Sequence, residues 1–101
     1  MDIKYILAEK VRQAMTQCHI TTDKPVSARP SARPEYGDYQ IDSMMAIAKS
    51  QATDPLKLAQ RVAGELMNNS QYRHIIARAE AVHPGFINLF LNDRWLLEQA
   101  E

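Results

Sequence analysis

Two aromatic rings and one carboxamide, each two residues from the next, are the side chains of this sequence best suited to binding chemistry. They are Phe86, Asn88 and Phe90. Because a β-strand alternates its side chains between two faces, all three would share one face of a strand. An aromatic ring stacks on a flat base, and a carboxamide both donates and accepts hydrogen bonds. This combination is typical of surfaces that bind the unpaired bases of RNA.

The same spacing also has a purely structural interpretation. Apolar strand residues are usually packed in a core. The two phenylalanines would then belong to a strand that is buried on both faces, with Asn88 satisfied by neighbouring backbone. The intervening residues Ile87, Leu89 and Leu91 are aliphatic and belong against a core under either interpretation. The sequence leaves both alternatives open.

Several basic side chains could accompany this face as contacts to RNA. His83 adjoins it in a Pro84-Gly85 turn, and two arginines precede it in the chain. Two further arginines lie in a tandem Ser-Ala-Arg-Pro segment, where the alternative is ordinary solvated loop charge. The arginines concerned are Arg73, Arg78, Arg29 and Arg33. We expect the first two beside the binding face and the last two as candidate phosphate contacts.

The residue patterns of an independent enzyme are missing from the sequence. Its three glycines form no phosphate-binding loop. The histidines and the single cysteine do not have metal-ligand spacing, and no serine lies in a nucleophile elbow. We therefore expect no catalytic residue, no metal site and no cofactor in this chain.

Composition and charge describe one globular domain. The 101 residues are 46% hydrophobic and 24% charged, which is ordinary for a soluble protein. Twelve basic and twelve acidic residues cancel, and this argues against binding nucleic acid through charge alone. The lone Cys18 suits a reducing compartment. With no membrane-spanning run and no signal peptide, we expect a cytoplasmic monomer that makes no contact with a membrane.

Helical periodicity and capping residues predict four helices around the candidate face. Apolar residues recur at steps of three and four in each helix, and Asp, Ser or Asn side chains precede three of them. The predicted helices are Ile3–Cys18, Asp42 or Ser43 to Ser50, Asp54-Pro55 to Asn69, and Arg94–Glu101 after a cap at Asn92 or Asp93. Nothing in the sequence ends the last helix, so residues 1–101 are expected to be one domain of a longer polypeptide.

Alternation with a period of two predicts a C-terminal hairpin, although the alanines and the glutamate of its first half would also tolerate a helix. Its strands are His74–Val82 and Phe86–Leu91, joined by the Pro84-Gly85 turn. In the first strand the odd-numbered residues from Ile75 to Ala81 would share one face. Val26–Arg33 is expected to be an extended edge segment, and Tyr36–Tyr39 a turn. The predicted fold class is α+β, with helices packed on one face of a small antiparallel sheet.

Four stretches of the sequence resemble the N-terminal additional domain of bacterial-type arginyl-tRNA synthetases. In chain order they are Ile6–Ala14, Tyr36–Gln40 with Met44–Lys49, Asp54-Pro55 with Leu58-Ala59, and Pro84–Leu91. The resemblance implies a domain that docks on the D-loop at the outer corner of tRNA(Arg). It implies that Phe86 stacks on an unpaired base, that Asn88 hydrogen-bonds the edge of that base, and that His83 flanks the contact. His83 stands where the family usually has glycine.

The resemblance also implies a larger parent protein. That parent would be a class I, ATP-dependent arginine–tRNA ligase that uses magnesium. This chain lacks the His-x-Gly-His and Lys-Met-Ser-Lys-Ser signatures, so the catalytic and anticodon-binding domains are expected in the remainder of the polypeptide. The alternative is a free-standing protein-interaction or regulatory module of the same fold.

Overall fold

The computed structural model describes residues 2–100. Within this range lie four α-helices and four short strands. The helices are α1 (Ile3–Gln17), α2 (Met44–Ser50), α3 (Pro55–Asn68) and α4 (Asp93–Gln99). The strands are β1 (Ala28–Pro30), β2 (Tyr39–Ile41), β3 (Ile76–Val82) and β4 (Phe86–Leu91). Two 3₁₀ turns lie at Pro34–Tyr36 and Ser70–Tyr72.

The four strands form one antiparallel sheet in the order β1-β2-β4-β3. One face of this sheet carries the hydrophobic core, where Ile41, Ile87 and Leu89 have no exposed surface. Helices α1 and α3 complete the core with residues such as Leu7 and Val62, which are also fully buried. The predicted α+β class is confirmed. No helix within residues 2–100 is long and apolar enough to cross a membrane.

Side-chain caps explain where two of the predicted helices begin. The Asp54 carboxylate accepts a hydrogen bond from the Leu56 N–H at 3.0 Å, and Pro55 occupies the first turn of α3. Asn92 caps α4 by accepting hydrogen bonds from two N–H groups of its first turn. Such caps satisfy amide groups that have no partner inside the helix. Helix α4 ends at Gln99 with Ala100 as its C-cap, before the predicted end at Glu101, which lies outside the described residues.

The start of α2 differs from the expected cap. Ser43 occupies the cap position, but its side chain makes no capping hydrogen bond. Its hydroxyl instead accepts a hydrogen bond from the Ser27 N–H at 3.0 Å, just before β1. Ser43 therefore ties the edge of the sheet to α2.

Strand β2 corrects the prediction that this part of the chain is only a turn. Its three residues are too few to show a period of two, and they are a strand because they pair with β1 and β4. The preceding Gly37 has φ +86, and Asp38 N–H donates to the carbonyl oxygen of Leu89 at 2.8 Å. The Asp38 carboxylate accepts a hydrogen bond from Leu91 N–H, also at 2.8 Å. This clasp joins the loop to β4.

A β-bulge in β3 corrects the predicted alternation of that strand. Ile76 pairs with Leu91, and the next pair joins Arg78 to Phe90, so one residue of β3 is unpaired. The bulge shifts the faces of the strand. Ile76 and Ala79 are therefore both buried, and β3 begins two residues later than predicted.

Candidate nucleic-acid interface

The aromatic and carboxamide residues of β4 lie on the sheet face opposite the hydrophobic core. Their neighbours Ile87, Leu89 and Leu91 are 0–5% exposed and belong to the core. The two phenylalanine rings are half-buried and lie outside the core cluster. Asn88 is only 2% exposed, so its amide lies at the base of this face rather than on its surface.

A cavity of about 580 Å³ opens over one end of this face, beside the hairpin turn. Clefts of this size are typical of ligand sites. Its walls come from β1 to β4, from the loop between β1 and β2, and from the hairpin turn. The lining residues are Arg29, Pro30, Ala32, Glu35, Tyr36, Gln40, Glu80, Val82, His83, Phe86 and Asn88. The cavity thus brings together three of the predicted site residues, Phe86, Asn88 and His83.

Strand register aligns four polar side chains across the floor of the cavity. Arg29 pairs with Gln40, Gln40 with Asn88, and Asn88 with Glu80, one residue from each strand. Arg29 Nη2 donates to Gln40 Oε1 at 2.8 Å. Gln40 Nε2 donates to Asn88 Oδ1, also at 2.8 Å. The buried carbonyl of Asn88 is therefore satisfied by a side chain of β2 and not by backbone.

Arg29 makes two further contacts that hold its guanidinium in place. Its Nε lies 3.7 Å from a carboxylate oxygen of Asp42, and its Cζ lies 5.9 Å from the centre of the Phe86 ring. This guanidinium is therefore already engaged at the wall of the cavity. A contact of Arg29 with an RNA phosphate stays a prediction.

Arg78 distinguishes the two aromatic rings of β4. Its guanidinium carbon lies 4.0 Å from the centre of the Phe90 ring, a cation–π distance. Its Nη1 also lies 3.0 Å from Glu80 Oε2. Arg78 thus covers one face of Phe90, whereas Phe86 lines the cavity. Phe86 also has a guanidinium nearby, that of Arg29, but at the longer distance of 5.9 Å.

The rim of the cavity contains a ring that the sequence interpretation missed. Tyr36, at the end of the first 3₁₀ turn, is 43% exposed and lines the cavity with Phe86 and His83. The Gly37–Asp38 clasp fixes the loop that carries Tyr36. On the other side of the cavity the hairpin turn lies so close to α3 that a Cβ on Gly85 would be 2.7 Å from Pro55 Cβ.

Arg78 does not line the cavity, and neither do two other predicted basic residues. Arg73 precedes β3 at the end of the hairpin away from the turn, and its Nη2 donates to the carbonyl oxygen of Met67 at 2.7 Å. Arg33 is exposed just before the first 3₁₀ turn, where its carbonyl oxygen accepts a hydrogen bond from Tyr36 N–H. Contacts of either residue to RNA stay predictions.

The chemistry available at the cavity is stacking and hydrogen bonding. The guanidinium groups of Arg29 and Arg78 are each paired with a carboxylate, so the local charge is nearly balanced. Among residues 2–100 no three His, Cys, Asp or Glu side chains cluster so as to hold a metal ion. A flat ring, a buried amide and exposed rim residues together suit a flat, polar-edged ligand such as a nucleobase.

Comparison with known protein sequences identifies the relatives of this chain. The family model described as the arginyl tRNA synthetase N terminal domain matches residues 2–91. An arginine–tRNA ligase of Vibrio vulnificus is 38% identical over 101 residues, and so is one of Pectobacterium atrosepticum. The chain covers 17% of the length of each of these relatives.

Solved structures show the same relationship. The arginyl-tRNA synthetase of Thermus thermophilus matches with a TM-score of 0.71 and 25% identity, covering 98% of this chain and 16% of that one. The arginyl-tRNA synthetase of Plasmodium falciparum matches with a TM-score of 0.75 over 93% of this chain and 17% of that one. At 13% identity the second likeness concerns the fold alone. By sequence and by fold, this chain belongs to the family of arginyl-tRNA synthetase N-terminal domains.

Proposed function

We propose that this chain is the tRNA-docking domain of an arginine–tRNA ligase, and that its cavity binds an unpaired base of the D-loop at the outer corner of tRNA(Arg). The observation that carries the proposal is the meeting of the Phe86 ring and the Asn88 amide in one cavity on the face of the sheet away from the core. Phe86 stacks on the base, and Asn88 hydrogen-bonds its edge. His83 flanks the bound nucleotide from the turn.

The chemistry of single-stranded RNA recognition supports this assignment. Proteins bind unpaired bases by stacking them on aromatic side chains and by hydrogen-bonding their exposed edges. A half-buried ring such as Phe86 is already ordered before a base arrives, which reduces the entropy lost on binding. Exposed Tyr36 and His83 provide further planar groups at the rim.

The parent protein of this proposal is a larger ligase. The chain covers 17% of the arginine–tRNA ligases that it matches, so the remaining length of such a parent would contain the catalytic and anticodon-binding domains. ATP, magnesium and arginine would bind there, and this domain would contribute tRNA contacts only. We expect the parent to work as a monomer in the cytoplasm.

A chemical-shift titration tests the proposal. The ¹⁵N-labelled chain is titrated with a tRNA(Arg) transcript and with a matched transcript whose D-loop is replaced by a stable tetraloop. We expect the first transcript to shift the side-chain amide signals of Asn88 and the backbone signals of Tyr36 and Phe86, and the second to leave them in place. Equal shifts with both transcripts would contradict the D-loop assignment. No shift with either would favour the free-standing interaction module instead.

A further inference from the structure

The hydrogen bonds on the floor of the cavity have a defined polarity. An arginine guanidinium can only donate hydrogen bonds. Gln40 must therefore present its oxygen to Arg29 Nη2, which lies 2.8 Å away. That orientation turns Gln40 Nε2 toward Asn88, whose oxygen accepts the hydrogen bond at 2.8 Å. These three hydrogen-bonded side chains, Arg29, Gln40 and Asn88, form a row. The direction of each amide in the row follows from the arginine at one end.

The amide nitrogen of Asn88 is left as the group that a ligand can meet. Asn88 lines the cavity, and within residues 2–100 its Nδ2 has no hydrogen-bond acceptor. Glu80, its partner on β3, directs a carboxylate oxygen to Arg78 at 3.0 Å. A ligand that supplies an acceptor keeps this N–H group hydrogen-bonded when the ligand displaces water from the cavity.

From this row we infer that Gln40, oriented by Arg29, is a specificity-determining positioning residue that fixes Asn88 as a hydrogen-bond donor. The inference rests on the proposed function. The base in the cavity must then present an acceptor to Asn88, either a ring nitrogen or an exocyclic carbonyl oxygen. A base that presents an amino group at this point meets a second donor and is rejected. Arg29 and Gln40 thereby select the ligand through the direction of one amide.

Exchange of Gln40 for a carboxylate reverses the row without much change of shape. In Gln40→Glu both oxygens accept, so Arg29 keeps its contact and Asn88 turns to donate to the new carboxylate. The oxygen of Asn88 then faces the cavity. Asn88→Asp places an acceptor in the cavity directly, while Gln40 still donates to it. Gln60→Glu makes the same charge change on the exposed side of α3 and is the matched control.

The direction of the row is measured first in the free protein. Scalar coupling across a hydrogen bond joins the donor nitrogen to the carbon that bears the acceptor. We expect coupling from Gln40 Nε2 to the side-chain carbonyl carbon of Asn88 in the wild-type chain. In Q40E it should be replaced by coupling from Asn88 Nδ2 to the carboxylate carbon at position 40. Absence of the coupling in the wild-type chain would overturn the inference, regardless of the tRNA affinities of the variants.

Binding of the tRNA(Arg) transcript is measured next, by titration of each variant. We expect Q40E and N88D each to lose roughly tenfold in affinity, about the effect of one misdirected hydrogen bond, and Q60E to bind as the wild type does. In an Asn88→Ala background, Q40E should have no further effect. A general repulsion between the new carboxylate and phosphate would persist in that background, so a continued loss would overturn the inference.

The outcomes separate this inference from the proposed function. If N88D weakens binding while Q40E binds as tightly as the wild-type chain, Gln40 does not set the direction of Asn88 and the inference fails alone. If Phe86→Ala and Asn88→Ala both leave tRNA affinity unchanged, the proposed function fails and the inference fails with it. A fold check by thermal melting accompanies each variant, and Q40E is expected to melt as the wild type does.

Discussion

Phe86 and Phe90 share a strand and a face but have different surroundings. Phe90 lies under the guanidinium of Arg78, whereas Phe86 lines the cavity with Tyr36 on the far rim. Cation–π contacts of this kind stabilise a folded chain by about 0.5–2 kcal/mol. At the scale of single residues, the closer cation–π contact therefore stabilises the sheet through Phe90, while Arg29 lies 5.9 Å from the Phe86 ring, to which the proposed function assigns the ligand.

The buried hydroxyl of Tyr72 predicts that one substitution is tolerated. Tyr72 has no exposed surface, and its hydroxyl has no hydrogen-bond partner within residues 2–100. Burial, with a smaller contribution from Glu65, raises the pKa of this hydroxyl. Tyr72→Phe removes an unsatisfied polar atom, so we expect the free energy of unfolding to stay the same or to rise by about 1 kcal/mol. Urea denaturation measures this change, and a loss of more than about 1 kcal/mol would reveal a partner for the hydroxyl.

Cys18 should react slowly with thiol reagents at neutral pH. Burial raises the pKa of this thiol from 9.0, nearby Glu65 raises it further, and Arg61 opposes the shift. Only the thiolate is nucleophilic, so a higher pKa lowers the fraction of Cys18 that is thiolate at pH 7. A higher pH is then needed to reach the same thiolate fraction. Alkylation rates measured across the pH range should lag behind those of the urea-unfolded chain. Equal rates in the two states at pH 7 would contradict this prediction.

The Gly37–Asp38 clasp is the element that joins the cavity rim to the sheet. A Cβ on Gly37 would lie 2.5 Å from the Leu89 carbonyl oxygen, and its φ of +86 strains any other residue. Gly37→Ala should therefore lower the free energy of unfolding by about 1–3 kcal/mol. Gly64→Ala is the matched control, because nothing lies within 4 Å of the added methyl group in α3. We expect Gly64→Ala to stabilise the helix by about 0.4–1 kcal/mol. Urea denaturation measures both variants, and equal changes in the free energy of unfolding would contradict the stabilising role of the clasp.

The helices could be predicted from the sequence because their signals are local. Asp54 caps α3 through an N–H only two residues away, and Pro55 marks the same boundary. Strand β2 could not be predicted in this way, since its three residues are strand only because β1 and β4 pair with them. The bulge in β3 likewise depends on pairing with β4. Contacts between distant segments therefore override the local pattern.

The candidate site was predictable where it depends on one strand. Alternation along β4 was enough to place Phe86 and Asn88 on a common face, and the turn carries His83 to the same cavity. The partner of Asn88 was not predictable, because Gln40 lies 48 residues earlier in the sequence. Arg29 was predicted as a candidate phosphate contact because of its charge. Its hydrogen bond to Gln40 follows only from the strand register.

At the scale of the whole molecule, side-chain alternation along the strands gives the two faces of the sheet different surroundings. The helices stabilise one face through the core, and this leaves the row of polar side chains on the other face open to a ligand. The chain has no net charge, with twelve basic and twelve acidic residues. This charge balance fits the proposed binding of a base better than a role in holding the tRNA backbone.

Charge balance predicts weak binding by the chain on its own. Phosphate contacts supply most non-specific affinity for nucleic acid, and here two guanidinium groups near the cavity are already paired with carboxylates. We expect a micromolar or weaker Kd for tRNA(Arg) that weakens further as salt is raised. Filter binding at two salt concentrations measures both properties. Tight binding that does not respond to salt would contradict the prediction.

The most direct test of the account compares the two phenylalanines of β4. Phe86→Ala removes the ring that lines the cavity, and Phe90→Ala is its matched control on the same face of the same strand. Titration with tRNA(Arg) should show that F86A weakens binding by about 1–3 kcal/mol, the contribution of one base–aromatic stack. F90A should bind as the wild-type chain does, once melting shows that it is folded. Unchanged affinity of F86A, or an equal loss in both variants, would contradict the assignment of this cavity to a tRNA base.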